Sequence, residues 1–479
     1  MTTPTERLRT ENARLVAVDT SHRLDALLDR IPLRSTALAA PPPGSGLAAV
    51  TGDRGLPFLG LGLQTLRYGP AFQLQLFRRH GPVSWWRAFG RDIVAAAGPD
   101  AVQEVLANRD KAFVSGWPDV IGPWFDGGLL AMDGAEHLTD RRLLQAAYGE
   151  EALRGHVRPL AEDAETFLAR WPTGRRFEAV PALRELSGQI TARAFLGLTD
   201  EAQGRLVMRA VEACIRAETA VVRLRLPGTD WRRAQDARRR LTTLLTRALP
   251  AARARESGDF LSVLARLDGP PDSRRLVDHM VFTLIASHDT TTSATVAAVY
   301  FLGKHPEWQR RARAESLAHA AAAPGLDRLA RLDTLERIVK ESIRLVSPSP
   351  IAMRTAVRDT AILGHFVPAG QLVSVCTGVN QLLPELWPEP HRFDPDRFGA
   401  PRHEDRVHRM AWAPFGAGAH KCIGLHLGML KVKATLDAML RRFTWSLPAS
   451  YEAPWRFTSL PAPSDGLPLV LHPCPPDRT

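Results

Sequence analysis

One stretch of the sequence sets a cysteine where it can do chemistry: Pro414-Phe415-Gly416-Ala417-Gly418-Ala419-His420-Lys421-Cys422-Ile423-Gly424, followed by the helical pattern LHLGMLKVKATLDAML. A cysteine that ends a glycine-punctuated loop just ahead of a helix faces unpaired amide N–H groups and the positive end of the helix dipole, and both stabilise a thiolate. Glycines let the backbone approach a flat ligand without side-chain clash. A thiolate presented in this way is a soft ligand suited to iron in a haem. On these residues alone three readings stand: a structural thiol, a zinc site through His420, Cys422 and His426, and an axial haem ligand. The spacing HxCxxxH matches no usual zinc pattern and lacks a fourth partner.

A second group lies mid-helix. Ala286-Ser287-His288-Asp289-Thr290-Thr291 falls in the middle of a long apolar pattern over 274–303. An acid followed by a hydroxyl in apolar surroundings is costly unless it has a task. Ser and Thr that bond back to the carbonyl four residues earlier also bend a helix. Further along, Glu341 and Arg344 stand three apart on one face of TLERIVKESIRL, close enough to pair. The form P-x-R-F occurs twice, at Pro390–Phe393 and Pro395–Phe398.

The elements that must carry these residues are mostly helices. Helical patterns run over 100–113, 134–149, 151–170, 180–197, 200–220, 231–254, 258–266, 274–303, 306–319, 326–345 and 424–441. Strand-like stretches are fewer: Val83–Trp86, Ile93–Ala96, Val357–Leu363, Leu372–Cys376 and Leu467–Leu471. The expected fold class is mainly α with a small β subdomain. Residues 36–56, rich in Pro, Gly and Ala, look like a linker. The expected division is therefore an N-terminal extension and linker over 1–53, beginning with an amphipathic helix or a frayed segment, and a single domain over 54–479.

Composition narrows the function classes. The chain has 479 residues, 62 Lys+Arg against 51 Asp+Glu and a formal net charge of +11, with 45% of residues hydrophobic and 24% charged, which excludes general disorder. Its densest basic run, Arg232 to Arg255, is interleaved with Leu241, Leu244, Leu245 and Leu249 near helical spacing, so the arginines read as a solvated helix face and no nucleic-acid partner is indicated. Cys214, Cys376, Cys422 and Cys474 are too few and scattered for a disulfide scaffold, which fits a reducing compartment. No export signal or transmembrane anchor is evident, so a cytoplasmic protein is expected. There is no phosphate loop, nucleophile elbow or H-E-x-x-H pattern, and Lys421 stands where a dinucleotide fingerprint needs its third glycine.

The cysteine loop resembles the haem-ligand signature F-x-x-G-x-x-x-C-x-G of the cytochrome P450 superfamily, the haem-thiolate monooxygenases, with Phe415, Gly418, Cys422 and Gly424 at its fixed positions. Other signatures follow in that family's order from about residue 54 to the C-terminus. The resemblance implies the cytochrome P450 fold, of soluble bacterial type, and haem b (iron protoporphyrin IX) with Cys422 as the axial thiolate to the haem iron. It implies that Glu341 and Arg344 lock structurally to Arg397, since the longer pattern P-x-x-F-x-P-x-R-F fits Pro395–Phe398 alone. It implies that Thr290 hydrogen-bonds dioxygen and that Asp289 joins a water relay for the protons that cleave the O–O bond. Ser287 replaces the glycine common at its place.

The segment Gly134–Arg142 resembles the family's G-x-x-H-x-x-x-R, so His137 and Arg141, one helical turn apart, are expected to bind a haem propionate. Arg354 and His420 match further propionate-binding positions.

The implied reaction inserts one oxygen atom of O2 into a lipophilic small molecule such as a sterol, terpenoid, fatty acid or secondary metabolite. No flavin or nicotinamide motif is present, so a separate ferredoxin- or flavodoxin-type donor is implied, steered by Arg141, Arg142, Lys421, Lys431, Lys433, Arg441 and Arg442. By family position the substrate pocket draws on 113–130, parts of 205–235, Leu284–Ala286, Ser349–Met353 and Ser459–Leu460, with Phe113, Trp117, Trp124 and Phe125 as aromatics. Rival activities are oxidative coupling or cyclisation, peroxide-driven oxygenation, and haem-thiolate binding without turnover.

Overall fold

The runs VSWWRA and RDIVAAA are rich in β-branched, aromatic and small apolar side chains that suit a pleated, covered surface. They form strands Val83–Ala88 and Arg91–Ala97, joined across Phe89 and Gly90, whose φ values of 48° and 80° match the two-residue turn that follows strand twist. This hairpin is the centre of a seven-stranded sheet in the computed structural model, which describes residues 28, 31, 33–220, 222–267, 272–457 and 460–474. The expected helix or frayed extension before residue 28 lies outside the described residues, as does Ser459.

The chain divides into two compact units. The first comprises Met1–Trp117, Ile343–Cys422 and Glu452–Ser464. Its sheet strands are β1 (Ser35–Ala37), β2 (Thr51–Asp53), β3 (Val83–Ala88), β4 (Arg91–Ala97), β5 (Phe113–Ser115), β6 (Ala352–Ala356) and β7 (Leu372–Cys376), in the order β1-β2-β3-β4-β7-β6-β5. The pairs β2–β3 and β4–β7 are parallel and the others antiparallel. Helix α1 (Pro99–Ala107) covers β4 and β7, and Trp85, Val94, Val102, Val105, Phe113 and Val373 share the resulting core.

Two expectations are corrected here. The stretch 36–56, read as a linker, supplies β2 and most of β1: Trp85 Nε1 donates to Thr36 O at 2.9 Å, and a Cβ on Gly52 would lie 1.8 Å from Trp85 O, so only glycine allows the approach. Val357–Leu363 is not one strand. The chain instead leaves β6 and forms a hairpin of Thr360–Ile362 with His365–Val367, turned by Leu363 and Gly364 at φ 46° and 74°.

The second unit, Pro118–Ser342 with Ile423–Tyr451 and Asp465–Thr479, is largely helical. Its main helices are α2 (Gly134–Tyr148), α3 (Glu150–Leu168), α4 (Ala179–Leu196), α5 (Glu201–Ala217), α6 (Asp230–Ala254) and α7 (Ser273–Lys304); α8 (Asp333–Leu345) runs into the first unit's chain segment, and α9 is Leu425–Arg442. Side chains of Asp200, Thr229 and Asp272 cap α5, α6 and α7 by accepting from first-turn amides. On α6, Leu241, Leu245 and Leu249 turn inward, while Arg233 and Arg239 pair with Asp230 and Asp236. Helix α7 packs against α4, α6 and α9, which is why most of its length is buried, including most of the polar run 287–293 at its middle. The architecture is thus mainly helical with a small β content. Among the described residues no helix is long and apolar enough to cross a membrane.

Candidate functional site

In the first unit the cysteine loop closes on itself. The amide of Cys422 donates to Phe415 O at 2.9 Å and that of Lys421 to Gly418 O at 3.2 Å, around a short helical turn at Gly418–His420. Gly416 and Gly418 take φ of 64° and 69°, where a side chain is strained, and a Cβ on Gly418 would stand 2.2 Å from Leu106 O on α1. Gly418→Ala is therefore expected to displace the loop and cost about 2–4 kcal/mol, checked as a lower melting temperature together with a lower haem content after expression.

Cys422 is exposed and lies two residues before Gly424, the residue that starts α9. Cys214 and Cys376 contrast with it, since burial pushes their thiols up to about 12 and keeps them neutral. Among the described residues no three His, Cys, Asp or Glu side chains gather into a metal site, which removes the zinc reading. A metal at Cys422 has to bring its remaining ligands with it, as a porphyrin does, and an exposed thiolate donor on a glycine loop fits haem.

Behind the loop lies a buried cationic node. Arg344, at the end of α8 and 1% exposed, donates to Gln381 O at 2.6 Å and to Arg392 O at 3.4 Å. Arg397, fully buried, donates to the same Arg392 carbonyl at 3.2 Å, to Pro388 O at 3.1 Å, and pairs with Glu404. Both guanidinium groups lie over the Trp387 ring, at 5.1 and 5.9 Å. Glu341, on α8 one turn before Arg344, is also fully buried. Arg392, from the other P-x-R-F, is 64% exposed and pairs with Glu389. From Trp387 a chain of rings runs through Phe398 and Trp412 to Phe415 in the cysteine loop, with centroid spacings of 5.6, 6.0 and 5.8 Å. Sequence reasoning missed Trp387, Trp412 and Glu404. On β6, Arg354 is buried, and the backbone of Gly116 packs against its main chain with no room for a Cβ.

In the second unit, Asp289 and Thr290 sit on α7. Thr290 Oγ1 donates to Ala286 O at 2.8 Å. Asp289 Oδ1 lies 3.3 Å from Arg184 Nε on α4 and 3.6 Å from His288 Nε2, which in turn is 3.8 Å from Glu212 Oε1 on α5. His288 is fully buried, and neither ring nitrogen has a hydrogen-bond partner among the described residues. Arg184 and Glu212 are partly exposed, so the cluster around Asp289 reaches from the helix interior toward the surface. The facing His288 holds the Glu212 carboxyl below its usual range, whereas desolvation and the Asp289 charge push Glu218 up to about 8. Arg184, Glu212 and Glu218 carried no sequence signal beyond their types, because only helix packing brings them to Asp289.

His137 is buried on α2 and Arg141 half-buried one turn later. Between them Asp140 is held by Arg275 at 2.6 Å and His279 at 2.7 Å, an anchor of α2 on α7 that the sequence did not signal. His420 closes the short turn of the cysteine loop. The expected basic docking surface is corrected: Lys431 and Lys433 are 3% and 4% exposed, because α9 is covered by α3 and α7, and Arg441 is tied to Asp437 and Glu165. Arg142, Lys421 and Arg442 remain exposed. Of the expected pocket aromatics, Phe113 belongs to the sheet core and Trp124 packs edge-on against Trp231 at 5.0 Å.

The family model described as Cytochrome P450 matches residues 50–184 and 219–463. "Putative cytochrome P450 136" of Mycobacterium tuberculosis is 39% identical over 447 residues, covering 91% of each chain. Cyclooctat-9-en-7-ol 5-monooxygenase of Streptomyces melanosporofaciens is 28% identical, covering 85% of this chain and 92% of its own. Among solved structures, retinoic acid-bound cyanobacterial CYP120A1 superposes with a TM-score of 0.80 at 25% identity, over 88% of this chain and 98% of that one. A glycine-cradled thiolate ahead of a helix, an acid–hydroxyl pair inside an apolar helix and similarity over most of the length agree: the chain belongs to the cytochrome P450 family, haem monooxygenases that incorporate oxygen from O2.

Proposed function

We propose that this P450 carries haem b on Cys422 and inserts one oxygen atom into a lipophilic small molecule of the sterol, terpenoid, fatty acid or secondary-metabolite kind. Electrons come from a separate ferredoxin- or flavodoxin-type donor. The retinoic acid named for CYP120A1 and the cyclooctat-9-en-7-ol named for the Streptomyces relative support a largely hydrocarbon substrate. His137, Arg141, Arg354 and His420 hold the haem propionates. When bound, the haem supplies the redox chemistry of O2 activation.

The observation that carries this reading is the disposition of protons around Asp289 and Thr290. The Thr290 proton is committed to Ala286 O, so its hydroxyl offers lone pairs and orients a donor rather than acting as the acid. The proton itself comes from Asp289, which is refilled from the partly exposed side of its cluster, where Arg184 reaches it. Asp289→Asn is expected to lower product formation roughly 10²-fold, as loss of a positioned proton donor does. In Thr290→Ala, reductant consumption continues while peroxide replaces product. The measurement is product and peroxide formed per electron consumed. An unchanged ratio in both variants removes the relay and favours a peroxide-driven or non-catalytic protein.

A further inference from the structure

Lys431 sits on α9 among apolar and hydroxyl side chains and is 3% exposed. Its Nζ donates to Thr191 Oγ1 on α4 at 2.8 Å and to the main-chain Ser287 O on α7 at 3.2 Å. No carboxylate accompanies it among the described residues. The other polar groups at this point are the hydroxyls of Ser187, Thr291, Thr295 and Thr435, around a cavity of about 10 Å3, enough for a single water. Burial alone pulls the amine down to about 7. An unpaired cationic group in such a place costs stability, so fold stability does not account for it.

What the amine holds does account for it. Ser287 O also accepts from Thr291 Oγ1 at 2.8 Å, and His288 O accepts from Thr291, Thr292 and Ser187 hydroxyls at 3.0, 3.0 and 3.3 Å. The threonine donors belong to α7 and move with it. Among the described residues only Lys431 and Ser187 reach these carbonyls from other helices, and Lys431 makes the shorter bond. We infer that Lys431 is a positioning residue: by holding the Ser287 carbonyl against α4 and α9, it fixes in place the turn of α7 that presents Asp289 and Thr290. The inference rests on the proposed roles of those two residues.

The test uses the full-length, haem-loaded protein with Lys431→Met, which keeps the bulk and removes every donor, and Lys431→Gln, which keeps donor hydrogens. Lys431→Met is expected to speed amide hydrogen exchange in the segment 284–295 by about ten-fold while the melting temperature holds or rises, because a desolvated amine is gone. Lys431→Gln is expected to restore exchange to within about two-fold of the parent. In Lys431→Met the peroxide formed per electron rises several-fold with KM unchanged. Unchanged exchange in Lys431→Met, equal exchange in the Met and Gln variants, or faster exchange throughout the chain with a lower melting temperature overturns the inference. Faster local exchange with unchanged peroxide in both Lys431→Met and Thr290→Ala overturns the relay instead, and with it the catalytic use of this anchor. Lys431→Leu, equally donor-free, takes the place of Lys431→Met if that variant does not load haem, with the same expectations.

Discussion

Cys422→Ser is expected to abolish the strongly red-shifted Soret band of the reduced, carbon monoxide-bound protein and to lower turnover by at least about 10³-fold, close to complete loss. A serine hydroxyl is a hard, neutral donor at physiological pH, so the electron density that a thiolate donates toward O–O cleavage disappears. The backbone does not require the sulfur: the loop is closed by main-chain bonds from residues 421 and 422, and the side chain is exposed. The loss is therefore chemical rather than conformational. Cys214→Ser and Cys376→Ser serve as controls, because both thiols are buried and neutral and leave the spectrum unchanged. A retained red-shifted band in Cys422→Ser assigns the axial ligand elsewhere.

Arg397→Ala carries the next largest effect. It removes a fully buried guanidinium that satisfies the Pro388 and Arg392 carbonyls and neutralises Glu404, itself only 8% exposed. Arg344 still reaches the Arg392 carbonyl and Arg402 still reaches Glu404. The buried node nevertheless loses its central charge and the Pro388 carbonyl loses its Arg397 donor, which costs about 3–5 kcal/mol, equivalent to a drop of roughly 3–5 °C in melting temperature at a fixed scan rate. The Trp387 ring also loses one of its two cations, and the loosening passes through Phe398 and Trp412 to Phe415, so haem retention falls together with stability. Arg392→Ala, on a mostly exposed pair, changes stability by less than about 1 kcal/mol. Similar melting temperatures for the two variants contradict the node.

Much of this chemistry was legible because it depends on short, rigid spacings. A thiolate on a glycine turn before a helix, and an acid beside a hydroxyl within apolar residues, are local arrangements, and the backbone supplies the required conformations at Gly416 and Gly418. The supporting contacts were not legible. Trp387, Phe398 and Trp412 stand on irregular segments without a period, and only the tertiary path stacks them.

Lys431 shows the opposite failure. In LHLGMLKVKATLDAML a lysine reads as a solvated charge, yet α9 is covered on two sides and no exposed face is left for it. Likewise Pro- and Gly-rich composition signalled a linker at 36–56, although Gly52 is there because β2 must run flush against Trp85. The periodicity of the long helices survived intact: α7, read over 274–303, spans Ser273–Lys304.

The central sheet also dictates an order of events during synthesis. Strands β4 and β7 are bonded neighbours, and Gln371 Nε2 reaches Asp92 O across 279 residues of sequence. At roughly 5–20 residues per second, a ribosome leaves the edge of β4 open for roughly 15–55 s before its partner emerges. The helices from α2 to α7 are encoded wholly within that interval and have most of their mutual contacts available while the sheet still waits. Cys422 emerges later still. Cofactor capture is thus a late step in the life of the nascent chain, and an open, apolar strand edge is the hazard it must survive until then.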